Sequence, residues 1–394
     1  MSAPSPRCLQ LTKFFPPVHG GIESTVWELT ESLTQRGWQV DVLCANTGQR
    51  TVVDHLPYRV IRAGSFGRLL ATSMSPALVW QMLKLRHEHD VIHVHLPDPM
   101  TNLALFIARP RARLVVHWHS DIVNQKRALK LYAPLQQWLL KRAGAIVVTS
   151  PPYAQSSPWL QPFLDKIHVV PSSIRDPLEG QGQALAEKAA AIRARHEGKR
   201  IVFALGRMIY YKGFDVLVDA AALLPDDTVV VIGGAGELLE PLRERARSLG
   251  LADKVHLVGR IADNDIAAYF QAADVFCLPS LLRSEAFGLV LVEAMAHSRP
   301  IVATNIPGSG VSWVNVHEET GLNVEPGDAP ALAQALRQVL DNPAQAARYA
   351  ANGRQHFLQR FRAQTMIDAV QAVYASVGVS SPASVSHPTP KAPQ

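Results

Sequence analysis

Twice along this chain, short β-branched runs alternate with longer amphipathic stretches, and a poorly patterned segment from Asp176 to Arg200 separates the two series. In the first series the strand candidates are Cys8–Leu11, Val40–Leu43, Val91–His95, Leu114–Val116 and Ala145–Val148. Helical patterns lie between them at Glu23–Arg36, Pro76–His87, Met100–Ala108 and Ile122–Arg142. In the first of these, Val26, Leu29 and Leu33 share one face and Gly37 follows as a stop. The second series has strands at Ile201–Leu205, Thr228–Ile232, Val255–Val258, Val275–Leu278 and Ile301–Thr304. Its helices fall near Gly213–Leu224, Leu238–Leu249, Asn264–Ala273 and Leu289–Ser298. Strands that alternate with helices pair in parallel under helical cover, so the pattern predicts an α/β protein of two doubly wound, Rossmann-like domains. Such folds bind ligands beyond the carboxyl ends of their strands, and two of them would face a central cleft.

A length of 394 residues suits two domains. The expected division is an N-terminal domain over 1–175 and a C-terminal domain over 176–359, with a helix near 360–376 returning to the first. The charged, helix-like stretch AEKAAAIRARHEGKR is taken as part of the connection. Further helices are expected at Ala329–Leu340, Pro343–Arg360 and Gln364–Ala375. The last residues, 377–394, are rich in Ser, Pro and Ala and are expected to be a disordered tail. No apolar run approaches the roughly 18 residues that span a bilayer, and Met1–Pro6 lacks the start of a secretory signal, so a cytoplasmic protein is expected. Cys8, Cys44 and Cys277 sit apart in apolar runs and read as buried, reduced thiols.

The most informative stretch is LPSLLRSEAFGLVLVEAMAH, where Glu285 precedes Glu293 by eight residues with Phe287, Gly288 and Leu289 between. With a helix starting near Gly288, Glu285 lies in the loop before its N-terminus and Glu293 lies inside it. Backbone N–H groups there could receive an anion while the two carboxylates accept hydrogen bonds from ligand hydroxyls. Gly20 and Gly21 in PPVHGGIE permit close backbone approach ahead of another helix N-terminus. LVVHWHSDIV carries His117, His119 and Asp121 at a strand's end; His93 and His95 repeat the spacing and leave a metal alternative open. Arg207 and Lys212 in ALGRMIYYKGF flank the turn after the first strand of the second series, which places two cations at a strand's carboxyl end. TVVVIGGAGELL, with Gly233, Gly234 and Gly236, lacks the last spaced glycine of a dinucleotide fingerprint, which argues against a nicotinamide enzyme. Asp263-Asn264-Asp265 formally fits a metal-binding D-x-D pattern but reads as an N-cap with first-turn carboxylates, so no resident metal is expected.

These segments, in order from Cys8 to about Ala375, resemble the retaining GT-B glycosyltransferases of family 4, whose E-x7-E motif Glu285 and Glu293 match. The resemblance implies two domains facing a cleft and transfer of a hexose from a nucleoside diphosphate sugar to a glycan acceptor, with retention and without metal or other cofactor. It implies that Glu293 meets the ribose, Arg207 and Lys212 the diphosphate, Glu285 and His119 the donor sugar, and Gly20 and Gly21 the phosphates. Gly233 and the segment around Arg260 would border the nucleotide, with Phe287, Gly288 and Leu289 at the sugar and phosphate, and Asp121 would assist at the acceptor. HSDIV resembles a subgroup of mannosyl- and rhamnosyltransferases of bacterial surface polysaccharide synthesis, lipopolysaccharide included, which favours a GDP-sugar donor and a lipid-linked acceptor. An epimerase of the same architecture and a non-catalytic nucleotide-sugar-binding protein are the alternatives.

The net charge of +6 is uneven, with 19 Lys and Arg against 10 Asp and Glu in residues 1–175. Arg68, Lys84 and Arg86 accompany Leu69, Leu70, Leu78, Val79 and Leu83, and Lys126, Arg127, Lys130, Lys141 and Arg142 form a second group. Peripheral attachment to an anionic inner-leaflet surface is expected from them, with a solvated helix face as the alternative. Basic residues are not interleaved with aromatics, which argues against nucleic acid.

Overall fold

The computed structural model of the chain describes residues 5–69, 72–122, 126–180 and 182–382, apart from the side chains of 126–128. Contacts divide the chain into two units, Met1–Val148 with Pro158–Val170 and Ala363–Gln394, and Thr149–Ser157 with Pro171–Arg362. In chain order the elements are β1 (Arg7–Leu11), α1 (Gly21–Gln35), β2 (Gln39–Ala45), β3 (Val52–His55), β4 (Arg59–Ala63), β5 (Arg68–Leu69), β6 (Thr72–Ser73), α2 (Pro76–Leu85), β7 (Val91–Leu96), α3 (Pro99–Ala108), β8 (Arg113–Trp118), α4 (Lys126–Arg142), β9 (Ala145–Val148), α5 (Pro151–Ser156) and β10 (Ile167–Val169). There follow α6 (Gln183–Ala194), β11 (Arg200–Leu205), α7 (Phe214–Ala221), β12 (Thr228–Gly233), α8 (Leu239–Ser248), β13 (Val255–Gly259), α9 (Asp263–Ala272), β14 (Val275–Leu278), α10 (Leu289–Ala296) and β15 (Ile301–Thr304). The chain ends with α11 (Val311–Val314), β16 (Gly321–Val324), α12 (Ala329–Leu340), α13 (Pro343–Arg360) and α14 (Ala363–Ser376).

In the first unit the sheet runs β10-β9-β8-β7-β1-β2-β4-β3, parallel throughout except for the edge pair β3–β4. Its order turns at β1, with β2 on one side and β7 on the other. The second unit has a parallel sheet in the order β13-β12-β11-β14-β15-β16, the Rossmann order, with its switch point between β11 and β14. Successive residues of β11 serve opposite cores: Ile201 and Phe203 join Phe270 and Phe276, while Val202 and Ala204 join Leu217 and Val230. A strand covered on both faces has no polar side, and this one is a continuous apolar run.

Several expectations need correction. The charged stretch taken as a connection is helix α6, whose Leu185, Ala189 and Ile192 pack into the second unit's core. The helical pattern is legible as expected; the neighbouring glycines and the surrounding charge obscured its packing against the core. Thr149–Ser157, expected in the first domain, is part of the second unit by contacts. Of the expected tail, 383–394 lie outside the described residues, whereas Val379 is buried in the first unit's core and its N–H bonds Tyr374 O at 2.9 Å. The edge strands β3, β10 and β16 were not read because none is buried along its whole length, unlike the equally short β9, β14 and β15. Leu70, Val123 and the side chains of Lys126 and Arg127 lie outside the described residues. The three cysteines are free and buried.

Candidate active site

In the second unit the predicted cations and carboxylates follow the two strands of the switch point, Arg207 and Lys212 after β11 and Glu285 after β14. Gly213, at φ 65°, brings these loops into contact, since a Cβ there would stand 2.1 Å from Pro279 O. The neighbouring backbone bond from Leu281 N to Tyr211 O, 2.8 Å, completes the join. Lys212 Nζ thereby meets Glu285 Oε2 at 2.5 Å, in a pair with side chains only 10% and 11% exposed. Ser280 Oγ donates to the same oxygen at 3.0 Å, and Ser309 Oγ donates to the Glu285 carbonyl. Both serines escaped the sequence reading; Ser280 ends the LPS segment five residues before Glu285, and Ser309 lies in PGSG, 24 residues beyond it. Such a charge pair, its carboxylate also hydrogen-bonded by a buried hydroxyl, is stable only with this geometry, because each charge alone would be costly to bury.

Gly288 is the N-cap of α10 at φ 80°, and a Cβ there would press on Leu278 and Leu291 at 3.1 and 3.0 Å. No side chain caps this helix, so its first N–H groups are available to an anion. Glu293, one turn further on, is half-buried; burial pushes its carboxyl up to about 7, with Lys212 opposing. Arg207 is exposed and its Nη2 donates to Tyr211 OH at 3.2 Å. Gly233 closes β12 beneath Ile261, and Arg260 is exposed beyond β13. Leu289 is partly buried against the core, and the ring of Phe287, expected at the donor, packs there against Trp313 and Phe361. Phe287 can therefore offer a ligand only its backbone. Asp263 and Asp265 lie in the first turn of α9 as expected, although Asp263 starts the helix and is not its cap; Asp265 pairs with Lys188 at 2.6 Å.

In the first unit Gly20 is the N-cap of α1, and Gly21 begins the helix with no side-chain cap. The Glu23 carboxylate folds back over Gly20, where a Cβ would lie 2.2 Å from Oε2. His119 directly follows β8 and its N–H bonds Leu96 O at 3.0 Å. Trp118 Nε1 donates to Asp121 at 2.9 Å. His93, His95, His117 and His119 form a buried stack, with His117 and His119 centroids 4.0 Å apart and planes at 11°. The nitrogens of His93, His95 and His117 lie within 4.8 Å of one another. Their rings are stacked, however, within 16° to 31° of parallel, and lone pairs lying in parallel planes do not converge on one ion as a tetrahedral site requires. Both His95 nitrogens are also already hydrogen-bonded.

Two parallel-sheet units of this kind define the GT-B class. The structure superposes on solved structures that share the fold. One is HepE of Anabaena in complex with UDP and glucose, at a TM-score of 0.76 and 22% identity over 94% of this chain and 99% of that one. Another is WaaG, a glycosyltransferase involved in lipopolysaccharide biosynthesis, at 0.67 and 16% over 94% and 100%. The family "Glycosyl transferases group 1" matches residues 186–356 and "Glycosyl transferase 4-like domain" matches 20–172. O-antigen chain mannosyltransferase C of Escherichia coli is 34% identical over 376 residues, 94% of this chain and 98% of the relative. D-rhamnosyltransferase WbpZ of Pseudomonas aeruginosa is 35% identical over 345 residues, 87% and 89% of the two. The chain belongs to this group 1 family of glycosyltransferases.

Proposed function

We propose that this enzyme transfers mannose or a deoxyhexose from a GDP-sugar to a glycan acceptor, with retention, in cell-surface polysaccharide synthesis. The observation that carries the reading is the buried Lys212–Glu285 pair with Ser280, set beside the open N-terminus of α10 at the switch point of the second unit. The mannosyl- and rhamnosyltransferase named above support the sugar class, and the HSDIV resemblance supports the base. Glu293 accepts bonds from the ribose hydroxyls, while Arg207, Lys212 and the α10 N–H groups take the diphosphate. As the bond from the sugar C1 to the leaving phosphate oxygen breaks, these donors hold the charge that collects there, leaving no call for a metal. The acceptor oxygen bonds C1 on the same face, and its proton passes to the leaving phosphate. Glu285 and His119 hold the sugar, with Asp121 assisting at the acceptor.

Glu293 makes the donor site sensitive to pH. Its folded value near 7 lies above the usual carboxylate value near 4.3, so the folded chain holds the extra proton between those limits and stability falls as pH rises through them. Glu293→Gln is expected to stabilise the ligand-free protein at pH 8 by up to about 3 kcal/mol, read as a higher Tm, with the gain shrinking towards pH 5. Parent enzyme should show a donor KM that falls from pH 6 to pH 8 as the acceptor carboxylate forms. A Tm gain that is the same at both pH values would remove this role for burial.

The donor is tested by thermal shift against GDP, UDP, ADP and dTDP and their sugar conjugates, with magnesium and with chelator. Selective stabilisation by GDP-sugars, equal in chelator, is expected; selectivity for UDP, the nucleotide in the HepE structure, would replace the GDP assignment. Acceptor-dependent release of nucleoside diphosphate separates transfer from an epimerase or a binding protein.

The first unit supports an acceptor at a lipid surface. Trp80 is 60% exposed on α2, and Leu103, Phe106 and Ile107 are exposed at helical spacing on the adjoining α3. Lys84 lies over the Trp80 ring at 5.3 Å and Arg109 over Phe106 at 5.4 Å. Leu78, expected on this surface, is instead buried, since it faces the sheet. Each cation adds about 1 kcal/mol near anionic lipid. Co-sedimentation with phosphatidylglycerol vesicles, reduced by Trp80→Ser with Phe106→Ser, is the expected result; binding that ignores anionic lipid would remove the proposal.

A further inference from the structure

A stripe of polar side chains crosses the otherwise apolar face of the first unit's sheet. Gln10 on β1 is in register with His93 on β7, and His95 with His117 on β8. Period-two alternation puts His93 and His95 on one face, and His117 and His119 continue it. Tyr374 of α14 covers this face, its OH 2.7 Å from His93 Nδ1 and 3.4 Å from Gln10 Nε2. Gln10 thus turns its amide nitrogen to Tyr374 and Cys8 and its Oε1 to His95 Nε2, at 2.8 Å. His95 Nδ1 in turn lies 3.0 Å from His119 Nε2.

Each of these contacts needs one donor and one acceptor, and the carbonyl oxygen of Gln10 fixes the direction. Oε1 only accepts, so His95 carries its proton on Nε2. Burial holds both rings neutral, pushing His119 down to about 3 and His95 well below the usual imidazole value. A neutral His95 then has a bare Nδ1, which accepts from His119 Nε2–H. The second nitrogen of His119 is left bare.

Resting on the reading that His119 meets the donor sugar, we infer that Gln10 and His95 are positioning residues that lock His119 as the Nε2–H tautomer, so that its Nδ1 accepts a hydrogen bond from a sugar hydroxyl. The consequence is selective. A bare nitrogen cannot serve a phosphate oxygen, which also only accepts, so His119 stands against the hydroxyl-bearing sugar and not against the diphosphate. At so low a basicity it orients the sugar and takes no proton.

The test is the ring-nitrogen NMR pattern of full-length, ligand-free protein labelled with ¹⁵N-histidine, with His119→Ala assigning the signals. A protonated Nε2 and bare Nδ1 at His119 is expected. A protonated Nδ1, which a reversed Gln10 amide would impose through His95, overturns the inference. Gln10→Leu should mix the two tautomers and lower kcat with GDP-mannose by about tenfold, the worth of one hydrogen bond, with little further loss when combined with His119→Ala. Parent-level transfer by a Gln10→Leu enzyme with mixed tautomers overturns it as well. His119→Ala transferring at the parent rate would instead overturn the donor-sugar reading beneath it.

Discussion

Glu285→Gln is expected to lower kcat by about 10²–10³-fold, with the secondary structure retained. The loops after β11 and β14 bring this carboxylate onto Lys212, and Ser280 fixes its orientation. Glutamine keeps the size and one acceptor oxygen but not the charge, so the change isolates the electrostatic role in holding the sugar as positive character develops at C1. Glu285→Ala removes the packing too and should abolish transfer. Both substitutions strand the Lys212 ammonium in a buried position, so circular dichroism and Tm must accompany the rate measurement. A folded Glu285→Ala enzyme that keeps more than a few percent of parent activity would end the assignment, and donor binding by thermal shift would then show whether the site or only the role had been misplaced.

The order of strands was legible because parallel strands covered on both faces are apolar throughout and because Gly37, Gly213 and Gly288 punctuate the helices around them. Edge strands such as Val52–His55 lack that signature, since Val52 and Val53 are exposed and the pattern is indistinguishable from a loop. Helix α6 was misjudged for a related reason: only Leu185, Ala189 and Ile192 are buried, in a segment otherwise charged and rich in alanine. In the candidate site, the sequence named Lys212 and Glu285 singly and not as a pair. Lys212 and Glu285 are separated by 73 residues, and the join depends on the Gly213 backbone lying against Pro279, which no local pattern encodes. The histidine stripe was half visible. The i, i+2 spacing of His93 and His95, and of His117 and His119, is plain in the sequence, but the partner that orders it, Tyr374, is 281 residues from His93.

Lys212→Met is expected to lower transfer by about 10²–10³-fold and also to destabilise the ligand-free protein, whereas combining it with Glu285→Gln should restore part of the stability and none of the activity. A cation and a carboxylate 2.5 Å apart and nearly excluded from water compensate each other's desolvation, so losing either one exposes the full cost of the other, of order 3–5 kcal/mol. Removing both leaves a neutral, similarly sized pair and a smaller cost. The stability changes should therefore fall short of additive by about 1–3 kcal/mol. Activity follows a different rule. If Lys212 holds the diphosphate and Glu285 the sugar of the same donor, each single change already disables the assembled site, and the double variant should be hardly slower than the worse single one. Because the pair is buried, its coupling should also persist in high salt, unlike that of the surface pair Lys188–Asp265. Denaturant melts of the four proteins at low and high ionic strength, run beside their turnover numbers, read both predictions. Additive stability losses would mean that the pair does not form in solution, and the geometry proposed for the donor site would lose its foundation.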